Sequence, residues 1–228
     1  MKTRKPSRAK APPPPPPPPP RFRTAADLLC ELGDIPPGRI RLTPNPGEAT
    51  EADLLAPEGK LCELVDGILV EKAMGSVESM LNFELGLFLG TYVKRHRLGV
   101  VPGSDGMVRL MPGQIRLPDL SFPSWDRLPG RKAPPTPILD LDLALALAVL
   151  SRANTRAEVR RKVREYFAAG VRLVWLVDPK TRTILVHTTP TGPTKLKVGQ
   201  ALDGGEVLPG FALPLAELFE CLDRRDEG

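Results

Sequence analysis

The sequence predicts an α/β (α+β) domain with a mixed central sheet flanked by helices, and three features carry that prediction. Two pairs of short apolar segments are joined by turn dipeptides. A long segment places apolar residues at helical spacing, and a later strand–helix–strand run ends in a continuous apolar stretch. The order hairpin, helix, hairpin, strand, helix, strand, strand describes a layered fold with a mixed sheet. With 228 residues, 41% of them hydrophobic, the chain holds one domain of ordinary size plus tails.

Residues 1–23 form a basic and polyproline tail, with nine consecutive prolines from Pro12 to Pro20. No core can form there, and the run reads as a stiff polyproline rod of about 28 Å. Residues 24–60 are a lead-in. Thr24 caps a short helix to Leu32, Gly33 and Pro36-Pro37 end it, and a Pro- and Gly-rich approach follows. The main domain spans 61–222, and 223–228 is a charged C-terminal tail.

Leu61–Val65 and Ile68–Lys72 flank Asp66-Gly67, the pair that a two-residue type I′ hairpin requires. From Val77 to Arg97, Leu81, Leu85, Phe88, Leu89, Tyr92 and Val93 recur at helical spacing, with basic residues in the last turn. A second hairpin turns at Pro112-Gly113, between Met107–Leu110 and a strand over Ile115–Phe122. Leu139–Leu150 alternates strictly and reads as one strand, with the odd-numbered residues on one face. Asn154 or Thr155 caps a helix through Ala169, with Glu158 as the capping-box partner and Gly170 beyond its end. Val171–Val177 is apolar throughout and so belongs in the centre of a sheet. Asp178-Pro179 turns the chain into Thr183–Thr188, and a short helix closes it after Leu208-Pro209-Gly210.

Composition excludes several classes. No run of 18 apolar residues exists to span a membrane, and no apolar segment follows the basic N-terminus as in a secretory signal. Cys30, Cys62 and Cys221 are odd in number and widely spaced, with only His96 and His187 as companions. That argues against a structural zinc site or a disulfide framework and for a reducing cytoplasm. The net charge of +5 comes from the tail, where Lys2, Arg4, Lys5, Arg8, Lys10, Arg21 and Arg23 meet no acidic residue; the remainder has an acidic excess of two. The pI therefore says nothing about what the folded part binds.

Asp119 is the first candidate for chemistry. It follows Pro118 inside an apolar strand, where a carboxylate is costly unless paired, hydrogen-bonded or bound to a cation. Mg²⁺ in such a place stabilises charge on a phosphate and activates water. The bland alternative is a carboxylate satisfying a turn after proline. Arg156, Arg160, Arg161, Lys162 and Arg164 make one helix strongly basic, either a phosphate-tracking face or a solvated surface with pairs such as Arg161–Glu165. Trp175, Tyr166 and Phe167 read as packing residues, and His187 lacks evident partners for catalysis.

Several blocks resemble a known family in order and at natural spacing. They are Cys62–Lys72 with its Glu-Leu-Val-Asp-Gly core, Arg116-Leu-Pro-Asp-Leu-Ser-Phe122, Val149-Leu-Ser151 with Asn154-Thr155, Lys162–Pro179, and Asp203–Phe211. From about Thr24 to Leu222 the chain is similar to the Uma-type family of restriction-endonuclease-like proteins, which have the PD-(D/E)xK nuclease fold. The resemblance implies Mg²⁺-dependent hydrolysis of DNA phosphodiesters. Position by position, it implies Asp119 and Glu63 as metal ligands and Lys162 as the lysine that steadies the phosphate or assists the attacking water.

One position departs at the centre of that chemistry. The family's second acidic residue belongs two positions before Leu150, and Ala148 stands there. Loss of a ligand and a negative charge weakens Mg²⁺ binding. Asp142, six residues away along an extended strand, is roughly 20 Å distant and cannot replace it. Two readings follow: an endonuclease impaired at Ala148, or an inactive nuclease-fold module that binds nucleic acid or protein. Partners weighed are DNA, a second copy of the chain as a homodimer, and an aromatic groove receiving the polyproline tail. Glu63 has a bland alternative too, as an exposed edge-strand residue beside the Asp66-Gly67 turn.

Overall fold

A computed structural model describes residues 22–57, 61–73 and 75–223. Nearly all of the basic polyproline tail and of the C-terminal tail lies outside the described residues. Among the described residues no helix is long and apolar enough to cross a membrane.

The element order follows the sequence expectation closely at the N-terminal half. Helix α1 (Ala25–Leu32) has the Thr24 capping box and ends on Gly33 in the left-handed region at φ 82°. The lead-in beyond it is not irregular throughout, because Thr50 caps a second helix, α2 (Glu51–Leu55). Strands β1 (Cys62–Val65) and β2 (Ile68–Glu71) pair across Asp66 and Gly67, both at positive φ, as the type I′ turn demands. Helix α3 (Ser76–Arg95) buries Leu81, Leu85, Leu89 and Val93, each worth about 1.5–3 kcal/mol of apolar burial.

The expected α/β class with mixed sheets flanked by helices is present, and among the described residues the central sheet divides into two five-stranded sheets beside a two-stranded ribbon. One has the order β2-β1-β4-β3-β6, with β3 (Met107–Met111), β4 (Gln114–Arg116) and β6 (Ile138–Leu139). The other runs β10-β9-β8-β7-β5, with β5 (Leu120–Phe122), β7 (Leu145–Val149), β8 (Leu173–Asp178), β9 (Thr183–His187) and β10 (Thr194–Lys197). Both contain one parallel pair, β3 with β6 and β7 with β8, so both are mixed.

The two expected long strands are the places where the chain changes sheets. Ile115–Phe122 divides into β4 and β5 at Leu117-Pro118-Asp119. Proline has no N–H for a ladder, so pairing with the first sheet ends there. Asp119 then donates its N–H to the Leu147 carbonyl of the second sheet at 2.9 Å. Leu139–Leu150 likewise divides into β6 and β7, with residues 140–144 crossing between sheets. Its alternation has a different origin from a half-exposed strand. Leu145, Leu147 and Val149 pack with α3 and the C-terminal elements, while Ala146 and Ala148 face the core under α4 (Arg156–Ala168).

Strand β8 is central, as its apolar run requires, and Trp175 is fully buried. The small strands β11 (Ala201–Asp203) and β12 (Ala212–Pro214) lead to α5 (Leu215–Phe219), the expected closing helix. The lead-in packs on the first sheet, where Leu28, Leu32 and Ile35 join Val65, Ile68 and Val70.

Candidate active site

The junction between the two sheets collects charged side chains from distant parts of the chain. Glu63 projects from β1, Arg116 from β4, Asp119 from the link after Pro118, and Lys162 from α4. Lys72 follows directly on β2, and Ala148 lies on β7.

Glu63 is the most enclosed of them, with a side chain 1% exposed. It is no exposed edge residue, because β4 covers β1 on that side. Its carboxylate lies 2.9 Å from the Arg116 guanidinium and 2.9 Å from the Lys162 ammonium, and it accepts the Leu117 N–H at 3.2 Å. Burial pushes the Glu63 carboxyl up, but Lys162 and Arg116 outweigh it and hold its pKa at about 2. Burial lowers the Arg116 pKa, yet Glu63 and Glu165 beside it raise it further, so this guanidinium stays charged.

Asp119 is held from two sides. The Lys72 ammonium approaches Oδ1 at 2.8 Å, and the Val149 N–H donates to Oδ2 at 2.7 Å. Lys72 is only 7% exposed and also donates to the carbonyls of Ser104, at 2.9 Å, and Pro118, at 3.5 Å. Asp119, Lys72, Lys162 and the Ala148 methyl line one small cavity with Asn154 and Tyr166, about 30 Å³, on the scale of a water molecule or two. Glu63 lies beside that cavity behind Lys162, within contact of the lysine and not among the lining side chains.

The N-terminus of α4 completes the assembly. Thr155 accepts the Glu158 N–H, as the cap requires, but Glu158 does not return the bond to close a capping box. Its carboxylate is taken by Arg39, at 2.9 and 3.0 Å, and by Asn154, at 3.0 Å, with Lys162 at 3.6 Å. A bidentate guanidinium contact is the stronger bond and wins. Burial raises the Glu158 pKa, but Arg39, Lys162 and Asn154 together bring it below the ordinary value. The expected Arg161–Glu165 pair is present at 2.7 Å, and Glu165 also binds Arg116. Asp142 is distant from this chemistry, on the crossing segment, 3.5 Å from Arg127.

Of the residues singled out in the sequence, Asp119, Lys162 and Ala148 line one cavity in the structure, with Glu63 adjoining. Lys72, Arg116 and Arg39 were not singled out. Arg116 carried a partial signal, because an arginine between Ile115 and Leu117 in an apolar strand needs an acidic partner where it is buried. Lys72 and Arg39 carried none, since their partners lie in segments whose position only the fold defines.

The architecture, mixed sheets flanked by helices, has a counterpart of known structure. It superposes with a TM-score of 0.65 on the crystal structure of "a putative nuclease belonging to DUF820" from Anabaena variabilis ATCC 29413, at 18% identity over 74% of this chain and 94% of that one. The profile of the Uma2 family, described as "Putative restriction endonuclease", matches residues 49–216, and the chain belongs to that family. No curated protein matches.

The family reading carries the expectation of a divalent cation, Mg²⁺, on Asp119 and Glu63. The donor set, as arranged, does not fit one. Mg²⁺ takes one or two carboxylates and several waters in near-ideal octahedral geometry. Here every carboxylate oxygen already meets an ammonium, a guanidinium or a backbone N–H, and Ala148 offers only a methyl. Among the described residues no three His, Cys, Asp or Glu side chains gather into a metal-binding group.

Proposed function

We propose that this chain is a DNA-binding member of its family in which Mg²⁺-dependent phosphodiester hydrolysis is impaired. The observation that carries the reading is the Ala148 methyl, which lines the same cavity as Asp119 and Lys162 at the position of the second carboxylate. Without that carboxylate, Asp119 and Glu63 are held as partners of Lys72, Arg116 and Lys162. DNA remains the substrate class the family supports. Contact with it falls to exposed arginines on α4 and to the basic residues before Phe22, which attract phosphate without reading sequence.

The competing reading is active hydrolysis, with Asp119 and Glu63 on the metal and Lys162 on the scissile phosphate. Its support is that Asp119 and Lys162 line one cavity. Plasmid nicking in Mg²⁺ or Mn²⁺ separates the two. The wild type and Asp119→Ala are expected to leave the plasmid intact. Nicking by the wild type that disappears in Asp119→Ala would sink the impaired reading.

A further inference from the structure

We propose that Lys72 is a resident cation of this site, a tethered ammonium that takes the place of a divalent ion on Asp119. The inference rests on the reading of the site above and names the group responsible for it.

Four observations support it. An ammonium has three N–H donors and no acceptor, and Lys72 faces three oxygens: Asp119 Oδ1, the Ser104 carbonyl and the Pro118 carbonyl. A carboxylate and two carbonyls form an oxygen-only shell, the kind that receives a cation. The shell is enclosed, since the Lys72 side chain is 7% exposed and that of Asp119 17%. Its oxygens come from the loop at Ser104 and from the link at Pro118-Asp119, so the ammonium ties two segments as a bound ion would.

Charge agrees with geometry. Two carboxylates neutralise one divalent ion, and one carboxylate neutralises one ammonium. With Ala148 in place of an acid, Asp119 and Lys72 balance on their own. A divalent ion added beside Lys72 would face a like charge at contact distance, with only Asp119 to offset both. Lys162 cannot relieve it, because its ammonium is itself a cation engaged by Glu63 and Glu158. Asp119 needs no metal to orient it, since Val149 N–H fixes its other oxygen.

The test reads metal binding, not cleavage. Mn²⁺ titration, followed by electron paramagnetic resonance on the full chain, compares the wild type, Ala148→Glu, and Ala148→Glu combined with Lys72→Met. The wild type should bind no Mn²⁺ at this site. The double variant should bind at least about tenfold more tightly than Ala148→Glu alone, because the resident cation is gone. Equal affinity of the single and double variants overturns the proposal.

Should the Lys72 variant fail to fold, the wild type answers by itself. Its Lys72 ammonium, enclosed by three acceptors, should give a slowly exchanging ¹⁵N-lysine resonance that millimolar Mg²⁺ leaves unmoved. Displacement of that resonance by Mg²⁺ overturns the proposal. Wild-type nicking with this resonance unmoved would instead overturn only the impaired function, so the two failures are distinguishable.

Discussion

At the scale of single residues, Glu63 shows how a carboxylate can be buried and remain charged. It has two cationic partners and a backbone N–H, which together overcome the cost of leaving water. Its folded pKa, about 2, lies below the ordinary 4.5, so its ionisation favours the folded state. That contribution is complete above pH 4.5 and is lost as the pH falls toward 2. Urea unfolding midpoints of the wild type should therefore decline over that window, and Glu63→Gln should flatten the decline. The same substitution should cost about 3–5 kcal/mol near neutral pH, because Arg116 and Lys162 lose their shared counter-charge. The proximity of three of these positions was legible in the sequence, since the blocks that hold Asp119, Lys162 and Ala148 meet at one cavity. The pairing of each was not. Whether Glu63 faces water or Arg116 depends on β4 lying beside β1, and nothing within Cys62–Val65 encodes that neighbour.

At the scale of an element, α4 resolves the two readings of its basic residues by dividing them between faces. Arg161 and Lys162 turn inward and are neutralised by Asp66, Glu165, Glu63 and Glu158. Arg156, Arg160 and Arg164 turn outward, exposed, and none has an ion pair among the described residues. The four-residue step sets them along one ridge about 6 Å apart. A ridge of one sign suits a polyanion's backbone. Replacing all three helical arginines by alanine should weaken binding to duplex DNA regardless of sequence and lower the salt dependence by roughly 0.9 per lost phosphate contact. Fluorescence anisotropy over a salt series measures both; unchanged affinity and slope would remove α4 from the binding surface.

Strands were less legible than helices for a related reason. The stretches Ile115–Phe122 and Leu139–Leu150 remain apolar while they pass from one sheet to the other, since both sheets are covered. Hydrophobic pattern records burial, not which neighbour provides it. Pro118 was the one local sign of the break, and it marks the link from which Asp119 reaches the site.

At the scale of the whole molecule, the lead-in acts as a strap across the helix that carries Lys162. Arg39 holds Glu158, Thr155 donates its hydroxyl to the Gly33 carbonyl, and Arg161 reaches the Glu31 carbonyl. Gly33 leaves no room for a side chain: a Cβ there would lie 2.5 Å from the Glu158 nitrogen, at a φ that disfavours one in any case. The strap precedes residue 49, where the family match begins. A chain begun at residue 49 and otherwise unchanged should therefore be much less stable than the full chain. Arg39→Ala alone should cost about 3 kcal/mol by leaving the buried Glu158 underpaired. Thermal unfolding of both compares them directly, and full stability of the shortened chain would show the strap to be dispensable.

The ion pairs that close this strap and the site also have a kinetic meaning. Arg39 and Glu158 are 119 residues apart, Glu63 and Lys162 are 99, and Arg116 and Glu63 are 53. The hairpin at Asp66-Gly67 and the turns of α3 close over a few residues and can form early, whereas each of these pairs must wait for a long loop to close. The site is consequently assembled only once loops of this length have closed. Helices and hairpins close locally without Lys162 beside Glu63, so recovery of that pair during refolding reports long-range closure rather than local structure.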